Sequence, residues 1–362
     1  MRAGILGSYI LLLTLLFTSL ATVVQATEYS EANKDVQAAD ILNHIENGDD
    51  VNLTNCHIFG ELNLSKIKLE TVPNPCFNIL LSRLGDRKYL IDHGVNENLS
   101  VIASSIIIKN STFENNLNFA STQFKNSADF RYATFKDSAD FSGATFKNSA
   151  DFMYATFKDS ANFWGATFNN FTYFYRAYFN NSADFTGATF NDIANFWGAT
   201  FKDSANFLAA TFKDSADFSG ATFKNSANFG FATFNNTTNF GGAKFNDAAE
   251  FIGPTKPDKL LLDEMNFQIF YKYYNGHGRY DDADTVYYNY RQNDMKQNKW
   301  SSFGYWWNFL SWITCGFGIK PLYTIIFGIA TIFLFSGIYA NPISLKRNQY
   351  KEIPFNLFPD VY

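Results

Sequence analysis

The chain has 362 residues, a net charge of −5 and a pI of about 5.4. Its length allows two or three domains, and its acidic balance excludes the broad basic surface that nucleic-acid binding needs. Aromatic residues make up 19% of the chain and phenylalanine alone fills 41 positions, which indicates a repeating structural demand for one large side chain.

The N-terminus is typical of an export signal. Arg2 supplies a positive charge, residues 5–24 are almost entirely apolar, and Val24-Gln25-Ala26 offers small residues at the two positions that signal peptidase reads. We therefore predict a signal peptide over residues 1–26. The apolar stretch is long for a signal peptide, so an uncleaved anchor is the alternative. In either case the segment that follows leaves the cytoplasm.

Residues 27–100 are predicted to form an N-terminal helix and a cap for the repeat that follows. Apolar residues spaced between about 36 and 47 indicate the helix, and Gly48 is a favourable residue just after its end. Two prolines, at 73 and 75, then interrupt the apolar rhythm. Residues 70–100 are therefore predicted to be a loop or a lateral insertion.

Three cysteines are present, and none belongs to a C-x-x-C pair. Cys56 and Cys76 both lie in the exported cap with no other partner near in sequence, so we hypothesise a disulfide between them. Cys315 stands alone beside a later hydrophobic segment. The four histidines are scattered along the chain, so we predict no metal site.

Phenylalanine recurs at alternating spacings of five and six from Phe113 to Phe251, through 26 consecutive positions. The true unit is eleven residues, as in A-D-F-S-G-A-T-F-K-N-S from 139 to 149. Alanine stands two residues before nearly every Phe, and residues i and i−2 of a strand point to one side. Both are predicted to fill a narrow tube. The core positions include Phe130, Phe135, Phe141, Phe146, Phe152, Phe157, Phe163 and Phe168.

The A-[DN]-F-x-x motif resembles the pentapeptide-repeat family, here in a variant with eleven-residue units. The resemblance implies a mainly β fold, a right-handed quadrilateral β-helix with one pentapeptide on each face, which we assign to residues 101–253. Packing supports four faces, because an eleven-residue coil would leave two rings in a slot too thin for both. A coil made of two such units would place four Phe in each layer.

A helical hairpin is predicted over residues 254–300, with helices at about 260–274 and 281–299 that cap the rod. Aromatic residues within 301–320 suit the boundary between water and lipid. Residues 321–340 are apolar, uncharged and long enough for one transmembrane helix, with a buried core helix as the alternative. Residues 341–362 form a short tail whose Lys and Arg predict a cytoplasmic location.

The linker sequence from Tyr274 to Arg291, with W-I-T-C-G-F-G-I-K-P after it, resembles a group of microbial pentapeptide-repeat proteins. Some of those proteins continue into a two-helix ion-channel pore. Such a pore requires a carbonyl-lined filter of the T-V-G-Y-G kind, and this sequence contains none.

No nucleotide-binding loop, nucleophile elbow or H-E-x-x-H motif occurs, so no catalytic, cofactor-binding or metal residue is predicted. The acidic residues recur at the repeat spacing and are expected on outer faces. A stacked row such as Asp137, Asp159 and Asp203 leaves weak calcium binding as an alternative. Residues 113–251 carry 10 Lys and Arg against 13 Asp and Glu, too weak a field for a DNA mimic.

The sequence thus predicts a non-enzymatic, membrane-anchored surface protein whose rod is a scaffold or protein-interaction platform. Its expected partners are a lipid bilayer, through residues 321–340, and another protein, with no nucleic acid and no cofactor. The expected location is the cell membrane, crossed once, with the rod on the extracytoplasmic side. The alternative is a channel-related membrane protein whose rod is a regulatory domain.

Overall fold

The computed structural model describes residues 27–246, 249–251, 260–262 and 264–340. The chain divides into two compact units, one ending at Tyr273 and the other beginning at Tyr274. The predicted signal peptide (1–26) and the predicted tail (341–362) lie outside the described residues.

The first unit is built around four sheets, here called I to IV, which the chain visits in turn. Sheet I consists of Glu28–Ala32, Asp50–Thr54, Ile106–Lys109, Ala128–Asp129, Ala150–Asp151, Thr172–Tyr173, Ala194–Asn195, Ala216–Asp217, Thr238–Asn239 and Leu260–Leu261. Sheet II consists of Asp35–Gln37, His57–Phe59, Thr112–Phe113, Thr134–Phe135, Thr156–Phe157, Tyr178–Phe179, Thr200–Phe201, Thr222–Phe223 and Lys244–Phe245. Sheet III consists of Leu62–Asn63, Leu117–Asn118, Ala139–Asp140, Ala161–Asn162, Ala183–Asp184, Ala205–Asn206, Ala227–Asn228 and Ala249–Glu250. Sheet IV consists of Thr71–Pro73, Asn98–Ile102, Thr122–Phe124, Thr145–Phe146, Thr167–Phe168, Thr189–Phe190, Thr211–Phe212 and Thr233–Phe234.

The repeat strands pair in parallel with residue i opposite residue i+22, so that Ala139 lies opposite Ala161 and Phe135 opposite Phe157. The stacking of the rings follows the same register. Phe163 lies flat against Phe141 and Phe185, with ring centroids 5.1 and 4.9 Å away and interplanar angles of 2°. A solenoid with four faces and two repeat units in each coil, the predicted mainly β fold, is therefore confirmed.

The interior is filled by one large and one small side chain on each face. The eight predicted core phenylalanines are all 0 or 1% exposed, and the alanines beside them are equally buried. Phe152 and Phe174 meet Phe163 edge-on, with centroids 5.5 and 5.2 Å away. Stacking along each column and edge-to-face contact between columns are both favourable ring geometries, which explains why one residue type is repeated.

The N-terminal region departs from the predicted cap, because residues 28–63 already belong to the coils. Glu28–Ala32 pairs with Asp50–Thr54 at the same register as the repeat strands. The predicted helix forms as α1, Ala38–Asn47, and Gly48 follows it in a left-handed conformation. This helix takes the place in the chain of the first strands of sheets III and IV, and its apolar face is buried.

Residues 70–100, predicted to be a loop or a lateral insertion, form an insertion that contains two helices. Tyr29 pairs with Val51 at the register of the repeat strands. Val51 in turn pairs with Ile106, much further along the chain. The coil that follows Val51 is therefore longer than the others by the length of the insertion. The insertion includes α2, Pro75–Leu84, and α3, Arg87–Asp92. Thr71–Pro73 runs antiparallel to Asn98–Ile102 beside it. The helices are held against the rod by one apolar cluster, formed by Phe77, Leu80, Leu90, Val95 and Trp164.

The predicted disulfide does not form, since Cys56 and Cys76 are both free. The sulfur of Cys56 lies within a coil, 3.5 Å from the carbonyl oxygen of Thr54. Cys76 is in α2 instead, with its sulfur 3.0 Å from the hydroxyl of Thr167. The insertion thus carries the second cysteine along the rod to a different partner.

The first unit ends on the predicted first helix of the hairpin, which is α4, Glu264–Gly276. Leu260–Leu261 extends sheet I beyond the predicted end of the rod at 253. Phe270 of α4 then packs on the last rings, with centroids 4.1 Å from Phe251 and 5.4 Å from Phe240. The helix therefore packs on two of the four phenylalanine columns at this end.

The second unit contains α5, Tyr280–Gln297, α6, Phe303–Cys315, a 3₁₀ turn, Gly316–Gly318, and α7, Pro321–Ala340. Hydrogen bonds between side chains join α5 to α6. Asn308 accepts one from Arg291 and donates one to Asp294. Trp312 donates another to the Tyr288 hydroxyl.

A helix forms where the transmembrane segment was predicted. In the part of the chain that the structure describes, however, no helix combines the length and apolar character needed to cross a membrane. The transmembrane assignment of residues 321–340 is therefore not supported.

Candidate interaction surface

The most unusual side chains of the rod lie on the corner between sheets I and II. The chain turns there in four residues, as in Phe130 to Ala133, whose N–H donates to the Phe130 carbonyl at 3.1 Å. The third residue of each such turn has positive φ. That position favours Gly or Asn, because other side chains crowd the backbone in the left-handed region.

The residues at this third position form a row along the rod. Asn fills it in the first coils, at 33, 55 and 110, and Gly fills it in the last, at 198, 220 and 242. Three consecutive coils between them break the rule with Tyr132, Tyr154 and Arg176, at φ of 59°, 57° and 52°. Each costs roughly 1 kcal/mol relative to Gly. On this corner, the strain is confined to one segment.

Aromatic rings stack along the same segment. Tyr132 and Tyr154 are parallel, with centroids 4.8 Å apart, and Tyr175 and Trp197 stack at 4.9 Å. Tyr175 meets Tyr154 edge-on at 5.4 Å. In each of the two stacked pairs, every ring therefore covers one face of its partner. We call Tyr132, Tyr154, Tyr175, Arg176 and Trp197 the aromatic edge.

Arg176 lies on the aromatic edge as a fixed cation. Its guanidinium carbon is 4.9 Å from the ring centroid of Trp197 and 5.7 Å from that of Tyr175. The next turn residue leaves room for it: a Cβ on Gly198 would lie 3.3 Å from Cγ of Arg176. Among the described residues, no carboxylate forms an ion pair with Arg176, which is exposed.

The other arginine of this corner is neutralised. The Arg131 guanidinium donates three hydrogen bonds to the Asp129 carboxylate, at 2.9, 3.1 and 2.7 Å, and its Nε lies 3.5 Å from Asp151. Burial raises the pKa of the Asp151 carboxyl to about 6, against the opposing effect of the Met153 N–H, and the charge of Asp129 adds to the rise. This carboxyl, 19% exposed, therefore titrates close to neutral pH.

A groove lies where the insertion overhangs sheet III. This groove of about 460 Å³ is lined mainly by polar groups of the insertion and the sheet, among them His93, Asn118, Asp140 and Asn162. Each of the last three uses its Oδ1 to accept the N–H two residues on, at 2.9–3.1 Å. Because the same bond recurs along the rod, these side chains serve the repeat.

Sequence reasoning assigned no catalytic or binding residue, and it missed the aromatic edge. The residues concerned fall in the two variable positions of each pentapeptide, which the repeat pattern treats as outward and unspecified. The signal was nevertheless present, since positions 132, 154 and 176 recur at the spacing of one coil and continue into Gly198. In the described part of the chain, no group of His, Cys, Asp and Glu could hold a metal ion.

Comparison with known families bears on the rod. Residues 108–152, 130–177 and 163–211 each match the family described as pentapeptide repeats (9 copies). This part of the chain therefore consists of pentapeptide repeats. No curated protein and no solved structure matches the chain. The resemblance of the C-terminal segment to channel-bearing proteins thus has no support from these comparisons.

Proposed function

We propose that the protein is a non-enzymatic scaffold that binds another protein through the aromatic edge. The observation that carries the proposal is the row of strained turns at Tyr132, Tyr154 and Arg176. Strain concentrates where it serves function, and the flanking coils show that Asn or Gly would relieve it. Tyr, Trp and Arg are also the residues that dominate binding energy in protein interfaces.

A stiff support suits this role. The rings of successive coils stack from Phe113 to Phe251, and hydrogen bonds join the backbones of neighbouring coils. An outward side chain is therefore held on a stiff backbone. Tyr154 shows this, since its N–H donates to the carbonyl of Tyr175 in the next coil at 2.9 Å. Binding would therefore require little ordering of the rod.

The proposal is tested by replacing Tyr132, Tyr154 and Arg176 together with Gly. Their backbone is already left-handed, so the variant should fold with its stability within about 1 kcal/mol of the wild type, because relief of strain offsets the lost stacking. Immobilised wild-type protein should retain partner proteins that the immobilised triple variant does not retain. Mass spectrometry identifies these partners.

The matched control is Phe231→Gly, because Phe231 has φ of 54° and is 55% exposed on another corner. This variant relieves the same kind of strain outside the aromatic edge and should keep every partner. Equal retention by the triple variant and the control would contradict the proposal.

Attachment to a lipid bilayer through residues 321–340, with the rod on the extracytoplasmic side, stays a separate prediction. In its favour, Ile332, Phe333 and Leu334 of α7 are 64–71% exposed. Flotation with membranes after alkaline extraction is the measurement, and recovery of all the protein in the soluble fraction would contradict it. The family match, which covers residues 108–211, gives no support to the channel-related alternative.

A further inference from the structure

We infer that the partner reaches the aromatic edge with a segment that carries one acidic residue and places its carboxylate against the guanidinium of Arg176. This inference rests on the proposed function and specifies the chemistry of its partner. It follows from the contrast between two arginines on one corner, from the way Arg176 is held, and from what the ring geometry disfavours.

The two arginines differ in whether their charge is used within the rod. Arg131 is engaged by Asp129 through a two-pronged contact, with Asp151 close by. Arg176 lies among rings, and no described carboxylate pairs with it. A guanidinium presents N–H groups in a fork that matches a carboxylate, so the open fork of Arg176 specifies an anionic group on the partner.

The side chain of Arg176 is held ready for such a contact. Its stem passes over Gly198, and its guanidinium rests on the Trp197 ring. The backbone N–H of Arg176 donates to the Trp197 carbonyl at 2.8 Å, which ties the two coils together. A cation already fixed against a ring loses less conformational freedom on binding than a free arginine does.

Ring geometry and charge distinguish a protein partner from other ligands. A saccharide or a nucleic-acid base binds to the open face of an aromatic ring, whereas Tyr132 and Tyr154 each cover one face of the other, as do Tyr175 and Trp197. A polyanion would be repelled by the net charge of −5, while one carboxylate needs one cation. Ring edges carry partial positive charge and favour carbonyl and carboxylate oxygens.

The experiment uses a random-peptide phage library selected on the full chain. We expect enriched peptides to contain Asp or Glu beside aromatic or apolar residues. The best peptide, made synthetically, should bind the Arg176→Gln protein about tenfold more weakly than wild type. Replacing the acidic residue of the peptide with the matching amide should weaken its binding to wild-type protein by the same factor. The same replacement should not weaken its binding to the Arg176→Gln protein any further.

Lys147→Gln is the control, since it removes an exposed cation from the same rod at a site outside the aromatic edge. It should leave the affinity unchanged. Peptides that depend on Tyr132 and Tyr154 but show no acidic preference would overturn the inference and leave the scaffold proposal standing. If no selected peptide depends on the aromatic edge, both fall.

Discussion

Tyr154 illustrates how a single residue of this rod is held in a conformation that its type disfavours. Its φ of 57° would suit Gly, yet its N–H bonds to the next coil and its ring stacks on Tyr132. Hydrogen bonds between coils hold the backbone of this turn in place, so Tyr154 is kept in the left-handed conformation. Tyr132 and Arg176 carry the same conformational cost of a positive φ. Together the three side chains form a row that projects from the corner.

Asp151 makes a pH-dependent contribution to stability that can be measured. Burial raises the pKa of its carboxyl from 3.8 to about 6, so the folded protein holds the proton more tightly than the unfolded chain. The free energy of unfolding should therefore fall as pH rises from about 4 to about 6. The effect should be on the order of 1 kcal/mol, since nearby solvent and Arg131 screen the charge.

Replacement of Asp151 with Asn removes this effect while keeping an oxygen that can accept the Met153 N–H. The variant should be the more stable of the two at about pH 7, with the difference shrinking towards about pH 4. Denaturant unfolding of both proteins at the two pH values is the measurement. A difference that does not change with pH would show that Asp151 does not titrate in this range.

The phenylalanine column is the element on which the rod depends. Phe163 is fully buried, with Phe141 and Phe185 stacked on its two faces. Replacing Phe163 with Ala should open a cavity and lower the free energy of unfolding by about 3–5 kcal/mol. Lys158→Ala, at an exposed position of the same coil, should change it by less than about 0.5 kcal/mol. Equal effects of the two changes in denaturant unfolding would contradict the packing described.

The columns could be predicted from the sequence because their physical requirement repeats without interruption. A ring must stack on the ring of the next coil, so the Phe spacing reports the coil directly. The helices of the insertion could not be predicted in the same way, since the insertion occurs once. Pro73 and Pro75 were taken as signs of a loop or a lateral insertion, but Pro75 occupies the first turn of α2, where its missing N–H is harmless. Asn74 caps that helix by accepting the Cys76 N–H at 3.0 Å.

The aromatic edge was missed for a related reason. Positions 132, 154 and 176 do not follow the repeat, and a pattern based on the repeat ignores them. Their meaning depends on the backbone, because only a turn that requires positive φ makes Tyr or Arg unusual there. Neither the sign of φ nor the stacking of Tyr175 on Trp197 can be read from residue types alone.

At the scale of the whole first unit, opposite corners of the four-sided rod are specialised in opposite ways. The corner between sheets III and IV has Gly143, Gly165 and Gly187 where the insertion packs, and a Cβ on Gly165 would lie 3.1 Å from Leu80. There, small residues allow close approach. On the corner between sheets I and II, large residues replace Asn and Gly and project from the rod. One repeat thus supports a docked module on one side and a free surface on the other.

This separation predicts that a coil outside both regions can be removed. Deleting residues 216–237 joins Ser215 to Thr238, so Ala194 would pair with Thr238 and Phe196 would stack on Phe240 in place of Phe218. Because neighbouring coils are equivalent, the shorter rod should fold and retain its partners on the aromatic edge.

Spin labels on Thr200 and Lys244 measure the change. These positions lie two layers apart on sheet II, on either side of Thr222, so their backbones should be about 10 Å apart in the full chain. In the deletion variant they should be neighbours, about 5 Å apart. An unfolded variant, or an unchanged distance, would show that the coils are not interchangeable. A folded variant that loses its partners would show instead that the aromatic edge depends on coils it does not contact.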